Sequence, residues 1–375
     1  MSTSKSVKTT DQPNAPEGYK SFSVGPEHHG MKNDYDDYEY LITSLPQPVR
    51  KELQRDGWAE CLCTGWLKRM ILSTPGFPSP IEHPAQVRYE IRKSGSRGLG
   101  VFATEDIDAG DLILAERPLL VRMIWTPPAP NTKHLSPKQR LEGMYADMER
   151  SMETLASRLE PERLELYRAL YNSHKTDGSG PLSGIMRTNG LPLGEVEDPT
   201  ALSMGLSPGQ NRYSCVGAKC SRFNHSCSPN AVYTFSVPSF SMEIHAVRPI
   251  AKGDEITVTY ALEDEKAMDR QASLKPYGFT CVCLACQSPA TSDKVRERAI
   301  RSLLPKTSQG IDYAETALAA YEATGLQCHK RYLELLRRVA KINRAKGNKE
   351  RADALDALAE SVTTAQRGRN PQFAA

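Results

Sequence analysis

The spacing of apolar residues along the chain predicts a helical segment followed by a β-rich region. Apolar side chains recur at roughly helical intervals over 41–72, which favours one or two short helices there. Further along, Val87, Tyr89 and Ile91 alternate with polar residues, as they would in a half-buried strand. Four prolines within 74–84 separate the two patterns and indicate a linker.

Two more helical stretches are predicted, one inside the β-rich region and one after it. A mostly helical pattern over 136–173 interrupts the short strand-like runs, which resume at 231–237. Beyond Pro289 the chain turns helical, and an apolar stripe begins at Tyr332. The predicted fold class is α+β, with short antiparallel sheets, a helical insertion and a C-terminal α-helical region.

Composition and charge are those of a folded protein and exclude two functional classes. The 375 residues are 39% hydrophobic and 25% charged, enough for one large domain or two modest ones. A formal net charge of +3 is far too small for a general nucleic-acid coat protein. No apolar run approaches the roughly 20 residues of a membrane span. The polar N-terminus also lacks the apolar core expected of a secretory signal.

Nine cysteines in a chain without a recognisable secretory signal favour metal binding over a disulfide scaffold. Cys281, Cys283 and Cys286 place three thiols within six residues, one fewer than the four ligands of a closed zinc site. Cys227 is the candidate fourth ligand, because the residues around it, at 222–231, form a second unusual motif. Cys61 and Cys63 have no such partners and are expected to be core residues.

That string, RFNHSCSPNA at 222–231, concentrates amide, imidazole, hydroxyl and thiol groups around Asn224 and His225. A loop that only closes a turn needs few such groups, whereas a site that binds polar groups needs many. A single histidine is usually hydrogen-bonded in a core. The string as a whole, rather than His225 alone, therefore indicates a binding or catalytic site.

Four motifs in sequence order resemble those of SET-domain protein lysine methyltransferases. They are SRGLGVFATEDIDAGDLI, RFNHSCSPNA, KGDEITVTY and PYGFTCVCLAC, all within 86–288. A helical insertion followed by a helical C-terminal region is similar to the SMYD-like branch and to many fungal SET proteins. The chain departs from the SMYD pattern because residues 100–210 contain no cysteine and hence no MYND zinc finger. A Cys-rich pre-SET module is not found either.

The resemblance implies a β-rich SET fold and a division of the chain into five regions. In chain order these are a flexible lead (1–40), a helical segment with its linker (41–85), the SET domain (86–262, with the helical insertion at about 126–210), a zinc-bound post-SET segment (263–290) and a C-terminal helical region (291–375).

The resemblance also implies S-adenosylmethionine as the methyl donor and one structural Zn²⁺. Tyr260 and Tyr277 would be the catalytic residues, with Phe279 beside them along a lysine channel. The zinc ligands implied are Cys227, Cys281, Cys283 and Cys286. The cofactor-binding residues implied are Ser96, Arg97, Gly98, Leu99, Asn189, Asn224, His225, Tyr260, Tyr277 and Phe279.

The activity implied is methylation of a lysine side chain in a protein, either a histone tail or a cytosolic protein, in the nucleus, the cytoplasm or both. A monomer is expected, with no membrane partner and no direct nucleic-acid binding.

Residues 291–375 hold 16 Lys and Arg against 10 Asp and Glu, which suits either a solvated helix face or an acidic partner. The alternative function is a catalytically inactive SET-like scaffold, which need not bind the cofactor. A zinc hydrolase is excluded, because the chain has no HExxH or comparable spacing.

Overall fold

The computed structural model describes residues 13–21, 35–47, 56–125, 129, 132–207, 210–302, 304–306 and 308–367. Within them the chain forms two compact units, each built from two separate stretches of sequence. The first unit combines the chain up to residue 80 with 117–221, and the second combines 81–116 with 222–375. Most of the predicted flexible lead at 1–40 lies outside the described residues.

The elements of the described residues are numbered in chain order. The strands are β1 (Tyr40–Leu45), β2 (Ala59–Thr64), β3 (Tyr89–Lys93), β4 (Leu99–Ala103), β5 (Leu112–Glu116), β6 (Leu120–Met123), β7 (Leu191–Glu197), β8 (Arg212–Val216), β9 (Asn224–His225), β10 (Ala231–Ser236), β11 (Ser241–Ala246) and β12 (Glu255–Val258). The helices are α1 (Gly65–Ser73), α2 (Pro137–Ala156), α3 (Pro161–Arg168), α4 (Pro181–Asn189), α5 (Pro199–Ser203), α6 (Ala267–Leu274), α7 (Leu284–Gln287), α8 (Pro289–Arg301), α9 (Ile311–Glu322), α10 (Lys330–Ala345) and α11 (Lys349–Arg367). Short 3₁₀ turns lie at Gly95–Arg97, Cys220–Arg222 and Lys275–Tyr277.

A five-stranded sheet in the order β1-β2-β6-β8-β7 organises the first unit. Strands β2 and β6 pair in parallel, and the other neighbours are antiparallel. Cys61 and Cys63 are at most 1% exposed within β2, which confirms the expectation that they are core residues.

The prediction of helices over 41–72 is wrong for much of that stretch, since it contains β1 and β2 as well as α1. All six residues of β2 are buried, so its apolar residues do not alternate with exposed polar ones. A short strand that is buried on both faces cannot be distinguished from a helical segment by periodicity alone. Thr64 caps the N-terminus of α1, and its hydroxyl accepts a hydrogen bond from the Leu67 N–H at 3.2 Å.

The predicted insertion at about 126–210 contains α2 to α5, and it also contains β7. The helix α2 begins as the sequence indicates. The Ser136 hydroxyl accepts from the Gln139 N–H at 3.3 Å, and the Gln139 side chain accepts from the Ser136 N–H at 3.0 Å. The sequence pattern does not predict β7, because Pro192 and Gly194 lie inside this strand and both residue types disfavour strands.

Two small sheets form the β-rich part of the second unit, in the orders β3-β4-β12-β9 and β10-β11-β5. All their pairs are antiparallel except β9 with β12, in which Asn224 pairs with Thr257 and His225 with Val258. The fold-class prediction is confirmed, with the addition that each unit contains one mixed sheet.

Helices α8 to α11 supply the C-terminal part of the second unit, as predicted. The apolar stripe on α10 is buried, and its members are at most 5% exposed: Tyr332, Leu335, Leu336, Val339 and Ile342. Among the described residues, no helix has the length and apolar character needed to span a bilayer.

Candidate active site and metal centre

A tight turn joins β3 to β4 and presents the first motif. The Ser94 N–H donates to the Gly98 carbonyl at 2.8 Å, and the Arg97 N–H donates back to the Ser94 carbonyl at 3.0 Å. Gly98 has φ 77° and ψ −131°, a backbone conformation that side chains with a Cβ rarely adopt. An added Cβ at Gly98 would meet no atom of the chain within 4 Å, so conformation and not crowding accounts for this glycine.

A cavity of about 390 Å³ opens against this turn. It is lined by residues 94–97 of the turn together with Arg92, Lys93, Phe102 and Glu255. The Arg92 guanidinium lies 3.4 Å from the centre of the Phe102 ring, which holds this cation over the aromatic face. Backbone groups, cations and one carboxylate therefore surround a space open to a polar ligand.

Asn224 begins β9 and faces this turn. Its side-chain NH₂ donates to the Leu99 carbonyl at 3.1 Å and to Glu255 Oε1 at 2.8 Å. The other carboxylate oxygen of Glu255 accepts a hydrogen bond from the Arg97 guanidinium. Three of the predicted cofactor-binding residues, Arg97, Leu99 and Asn224, are thus brought together around one carboxylate that sequence reasoning had not singled out.

His225, the next residue, is 5% exposed, and both of its ring nitrogens contact groups of the chain. Its Nδ1 accepts from the Tyr260 N–H at 3.0 Å, so the proton of the neutral ring lies on Nε2, which is 3.3 Å from the Cys227 Sγ. Burial lowers the pKa of His225 to about 4, so the ring is neutral at pH 7. Any contact of His225 with a ligand would therefore use its backbone.

Three aromatic rings extend from His225 along one side of the site. The centres of the Tyr260 and Tyr277 rings are 5.0 Å apart, and those of Tyr277 and Phe279 are 6.5 Å apart. The Tyr260 hydroxyl donates to the Phe223 carbonyl at 2.5 Å. Burial, together with the nearby Tyr277 and Glu255, raises the pKa of Tyr260 above its usual range, so the phenol stays protonated at neutral pH.

The predicted zinc ligands meet at one point. The Sγ atoms of Cys227, Cys281, Cys283 and Cys286 all lie within 4.8 Å of one another. The Cys227 sulfur is 3.5 Å from that of Cys286 and 3.9 Å from that of Cys281. Four sulfurs at about 2.3 Å from a tetrahedral Zn²⁺ are about 3.8 Å apart, so this donor set fits zinc in number, chemistry and spacing.

Two side chains from α6 support the thiol cluster, and sequence reasoning missed both. The Gln271 side chain makes two hydrogen bonds to the backbone of Cys281. Its Oε1 accepts from the Cys281 N–H at 3.0 Å, and its Nε2 donates to the Cys281 carbonyl at 2.8 Å. Arg270 is 1% exposed. Burial disfavours the charge of Arg270, but the adjacent thiols of Cys227 and Cys286 outweigh burial and raise its pKa. No cysteine or histidine spacing marks either residue in the sequence.

Asn189 is the one predicted cofactor-binding residue that belongs to the first unit. It ends α4, and its side-chain NH₂ donates to the carbonyls of Tyr171 at 2.6 Å and Ile185 at 2.8 Å. Both donor hydrogens are therefore used within its own unit. Its contact with the cofactor stays a prediction.

The match with known proteins covers part of this candidate site, including Asn224 and Tyr260. The SET-domain family model matches residues 98–261. The chain is 28% identical over 232 residues to the histone-lysine N-methyltransferase set5 of Schizosaccharomyces pombe, covering 62% of this chain and 58% of the relative. It is 36% identical over 83 residues to a SET and MYND domain-containing protein of Dictyostelium discoideum, covering 21% of each. The matches therefore span less than two thirds of these relatives.

Among solved structures, the SET domain of LSMT bound to lysine and AdoHcy aligns with 74% of this chain and 87% of its own. The identity is 13% and the TM-score is 0.26. A similarity of that size says nothing further about this chain.

Proposed function

We propose that this chain belongs to the SET-domain protein lysine methyltransferase family. It transfers a methyl group from S-adenosylmethionine to the side-chain amine of a lysine in a protein. The observation that carries the proposal is the pair of rings 5.0 Å apart, Tyr260 and Tyr277. Tyr260 follows β12, which pairs with Asn224, and Tyr277 belongs to the segment that leads into the thiol cluster.

In this proposal the cofactor lies against the turn at 94–98 and the polar groups around Asn224. When bound, S-adenosylmethionine supplies a methyl group on a positively charged sulfur, which is open to in-line attack by an amine. The chain contributes alignment, and such positioning lowers a barrier by up to several kcal/mol. Arg97, Asn224 and the backbone of the turn lie where they can bind the donor's polar groups.

Tyr260 orients the incoming amine and does not deprotonate it. Its only hydroxyl hydrogen is donated to the Phe223 carbonyl, so its oxygen is left to accept a hydrogen bond from a lysine N–H. Its raised pKa keeps it a neutral phenol, which is a poor base. A lysine has a reference pKa of about 10.4, and desolvation between Tyr260, Tyr277 and Phe279 favours its neutral, nucleophilic form.

We further propose that Cys227, Cys281, Cys283 and Cys286 hold one structural Zn²⁺. A site with four sulfur ligands has no open position for water or substrate, so its role is to cross-link the chain. The cross-link would join β9 and its following turn to the segment that carries Tyr277 and Phe279. Arg270 places a positive charge beside this cluster, which favours the thiolate form of its ligands.

The substrate is proposed to be a lysine in a histone tail or in another protein. The name of the Schizosaccharomyces pombe relative makes histones the first substrate to test and the nucleus a proposed location, with the cytoplasm as the alternative. The excess of positive charge over 291–375 favours substrates with acidic residues near the target lysine.

The experiment is incubation of the zinc-loaded chain with methyl-labelled S-adenosylmethionine and either purified histones or a cell extract. Labelled protein bands that require the active chain are the expected result and would identify the substrate. In parallel, titration calorimetry measures binding of S-adenosylhomocysteine. A protein that binds neither form of the cofactor and labels nothing would be the scaffold instead.

A further inference from the structure

We propose that Glu255 is a positioning residue for the cofactor site, because it holds the turn at 94–98 and the amide of Asn224 in one arrangement. The inference rests on the proposed function and adds to it a residue of the motif KGDEITVTY that the predicted site did not include. It concerns a side chain that lines the cavity beside the turn.

The carboxylate of Glu255 makes two separate contacts, one with each oxygen. Oε1 accepts from the Asn224 amide at 2.8 Å, and Oε2 accepts from the Arg97 guanidinium. Asn224 reaches back to the turn as well, through its 3.1 Å bond to the Leu99 carbonyl. Turn, Asn224 and carboxylate therefore form one connected network.

Sheet order explains why Glu255 can make both contacts. Strand β12 lies between β4 and β9, with Glu255 paired to Phe102 of β4 and Thr257 paired to Asn224 of β9. Asn230 fixes this part of β12 from its other side: its Nδ2 donates to the Glu255 carbonyl at 2.9 Å, and its Oδ1 accepts from the Thr257 N–H at 2.8 Å. The carboxylate is thus presented from a backbone that is itself held in place.

Gly100 lies directly against the side chains of Glu255 and Asn224. A Cβ added there would lie 2.4 Å from Glu255 Oε1 and 2.8 Å from Asn224 Nδ2, closer than real Cβ atoms come to any neighbour. Gly98 is favoured by its positive φ, whereas a side chain at Gly100 would push the ends of the Glu255 and Asn224 side chains out of their positions.

The two contacts of the carboxylate are not of equal value. The side chain of Arg97 is 46% exposed, so its ion pair with Glu255 is screened by solvent and contributes little. The side chain of Glu255 is only 11% exposed, and losing its bond to Asn224 frees the Asn224 amide from one of its two acceptors. Most of the effect of Glu255 should therefore come from orienting Asn224.

The first test is calorimetric titration of S-adenosylhomocysteine into the zinc-loaded full chain. Glu255→Ala removes both contacts and should weaken binding about tenfold, the value of one lost hydrogen bond to a charged group. Glu255→Gln keeps an oxygen that can accept from Asn224 and should change the affinity less than threefold, as an approximate bound. The matched control is Glu197→Ala, which removes the ion pair of Glu197 with Arg212 at 2.6 Å and should leave the affinity unchanged, because neither residue lines the cavity.

The second test needs no cofactor: amide hydrogen exchange of the unliganded chain. Residues 94–100 should exchange faster in Glu255→Ala than in the wild type, while the pairing of β10 with β11 stays protected. Glu255→Asp, which keeps the charge but is one methylene too short to reach both partners, should behave like the alanine variant and serves if that variant does not fold.

Unchanged affinity in both Glu255→Ala and Glu255→Asp would overturn the proposal, even if the turn exchanged faster, because the turn would then not matter to the cofactor. Unchanged exchange over 94–100 would overturn it as well. A wild-type chain that does not bind S-adenosylhomocysteine would instead contradict the proposed function, and the exchange rates alone would then decide whether Glu255 holds the turn.

Discussion

The imidazole of His225 connects the backbone of Tyr260 to the thiol cluster. Its Nδ1 accepts from the Tyr260 N–H at 3.0 Å, and its Nε2 lies 3.3 Å from the Cys227 sulfur. The position of Tyr260 is therefore tied to the geometry of the cysteines through one buried ring. Whatever loosens the cluster should also disturb the tyrosine.

Metal removal should consequently weaken both the fold and the activity. We expect the purified chain to contain one zinc per molecule, and a strong chelator to lower its melting temperature and abolish methyl transfer. The same loss is expected for Cys283→Ser, which removes one ligand. Elemental analysis and thermal unfolding measure the two effects.

Cys328→Ala is the control, because Cys328 is buried outside the cluster and its loss should leave the zinc content at one. Full zinc content in Cys283→Ser would contradict the assignment.

Tyr260→Phe should lower kcat by at least about tenfold while leaving the affinity for S-adenosylhomocysteine nearly unchanged. The variant removes the hydroxyl that would orient the amine, and a tenfold change corresponds to about 1.4 kcal/mol. Steady-state kinetics and titration calorimetry separate the two quantities. Tyr321→Phe is a matched control, since its hydroxyl bonds to His329 Nδ1 at 3.1 Å and not to the aromatic cluster. Equal kcat in Tyr260→Phe and the wild type would remove Tyr260 from the mechanism.

Arg270→Met should release zinc to a competing chelator faster than the wild type does. Arg270 is buried beside the thiols, and methionine keeps much of its volume while removing the charge that favours thiolates. Arg270→Lys should lie between the two, because it restores the charge without the planar guanidinium. The readout is zinc release followed with a colorimetric chelator. Equal release rates in Arg270→Met and wild type would show that the charge does not act on the cluster.

The unfolding free energy should fall as pH drops below about 6.5, in part because of His245. This side chain is 0% exposed, and burial lowers its pKa to about 4. Between pH 4 and the unfolded value of about 6.5 the unfolded chain binds the extra proton, so acid favours unfolding by up to about 1.4 kcal/mol per pH unit. Glu243 Oε2 lies 3.9 Å from His245 Nε2, and burial raises the pKa of Glu243, so the folded chain binds a proton there more readily and Glu243 acts in the opposite direction.

Denaturant titrations at pH values from 7 to 5 measure the slope of the unfolding free energy against pH. His245→Leu should make it shallower, although His225, whose pKa is also lowered to about 4, contributes a slope of its own. A slope that is the same in His245→Leu and the wild type would mean that His245 does not titrate between the folded and unfolded states.

The fold class could be predicted from sequence because alternating strands and a striped helix leave clear periods. Strands β1 and β2 could not, since burial on both faces removes the alternation that distinguishes a strand from a helix. The division into two units, each made from two stretches of chain, depends on strand pairing far apart in sequence, such as β2 with β6. Local periodicity carries no signal for such pairing.

The clustering of the four thiols could be predicted because cysteines are few and their spacing is distinctive. Glu255 lies within the motif KGDEITVTY. Its proposed role in positioning Asn224 depends on the placement of β12 between β4 and β9, which the sequence does not reveal. Arg270 and Gln271 resemble any polar pair on a helix until α6 packs against the cysteines. The side chains that support the cysteines and the turn were therefore identified only from the structure, whereas the cysteines themselves could be identified from the sequence.

The most direct test of the central claim is to identify the amino acid that receives the label. The zinc-loaded chain is incubated with methyl-labelled S-adenosylmethionine and histones or extract protein, and the labelled product is hydrolysed and separated. The account predicts label in N-methylated lysine for the wild type and little or none for Tyr260→Phe. Label on arginine or another residue, or equal labelling by the two proteins, would contradict it.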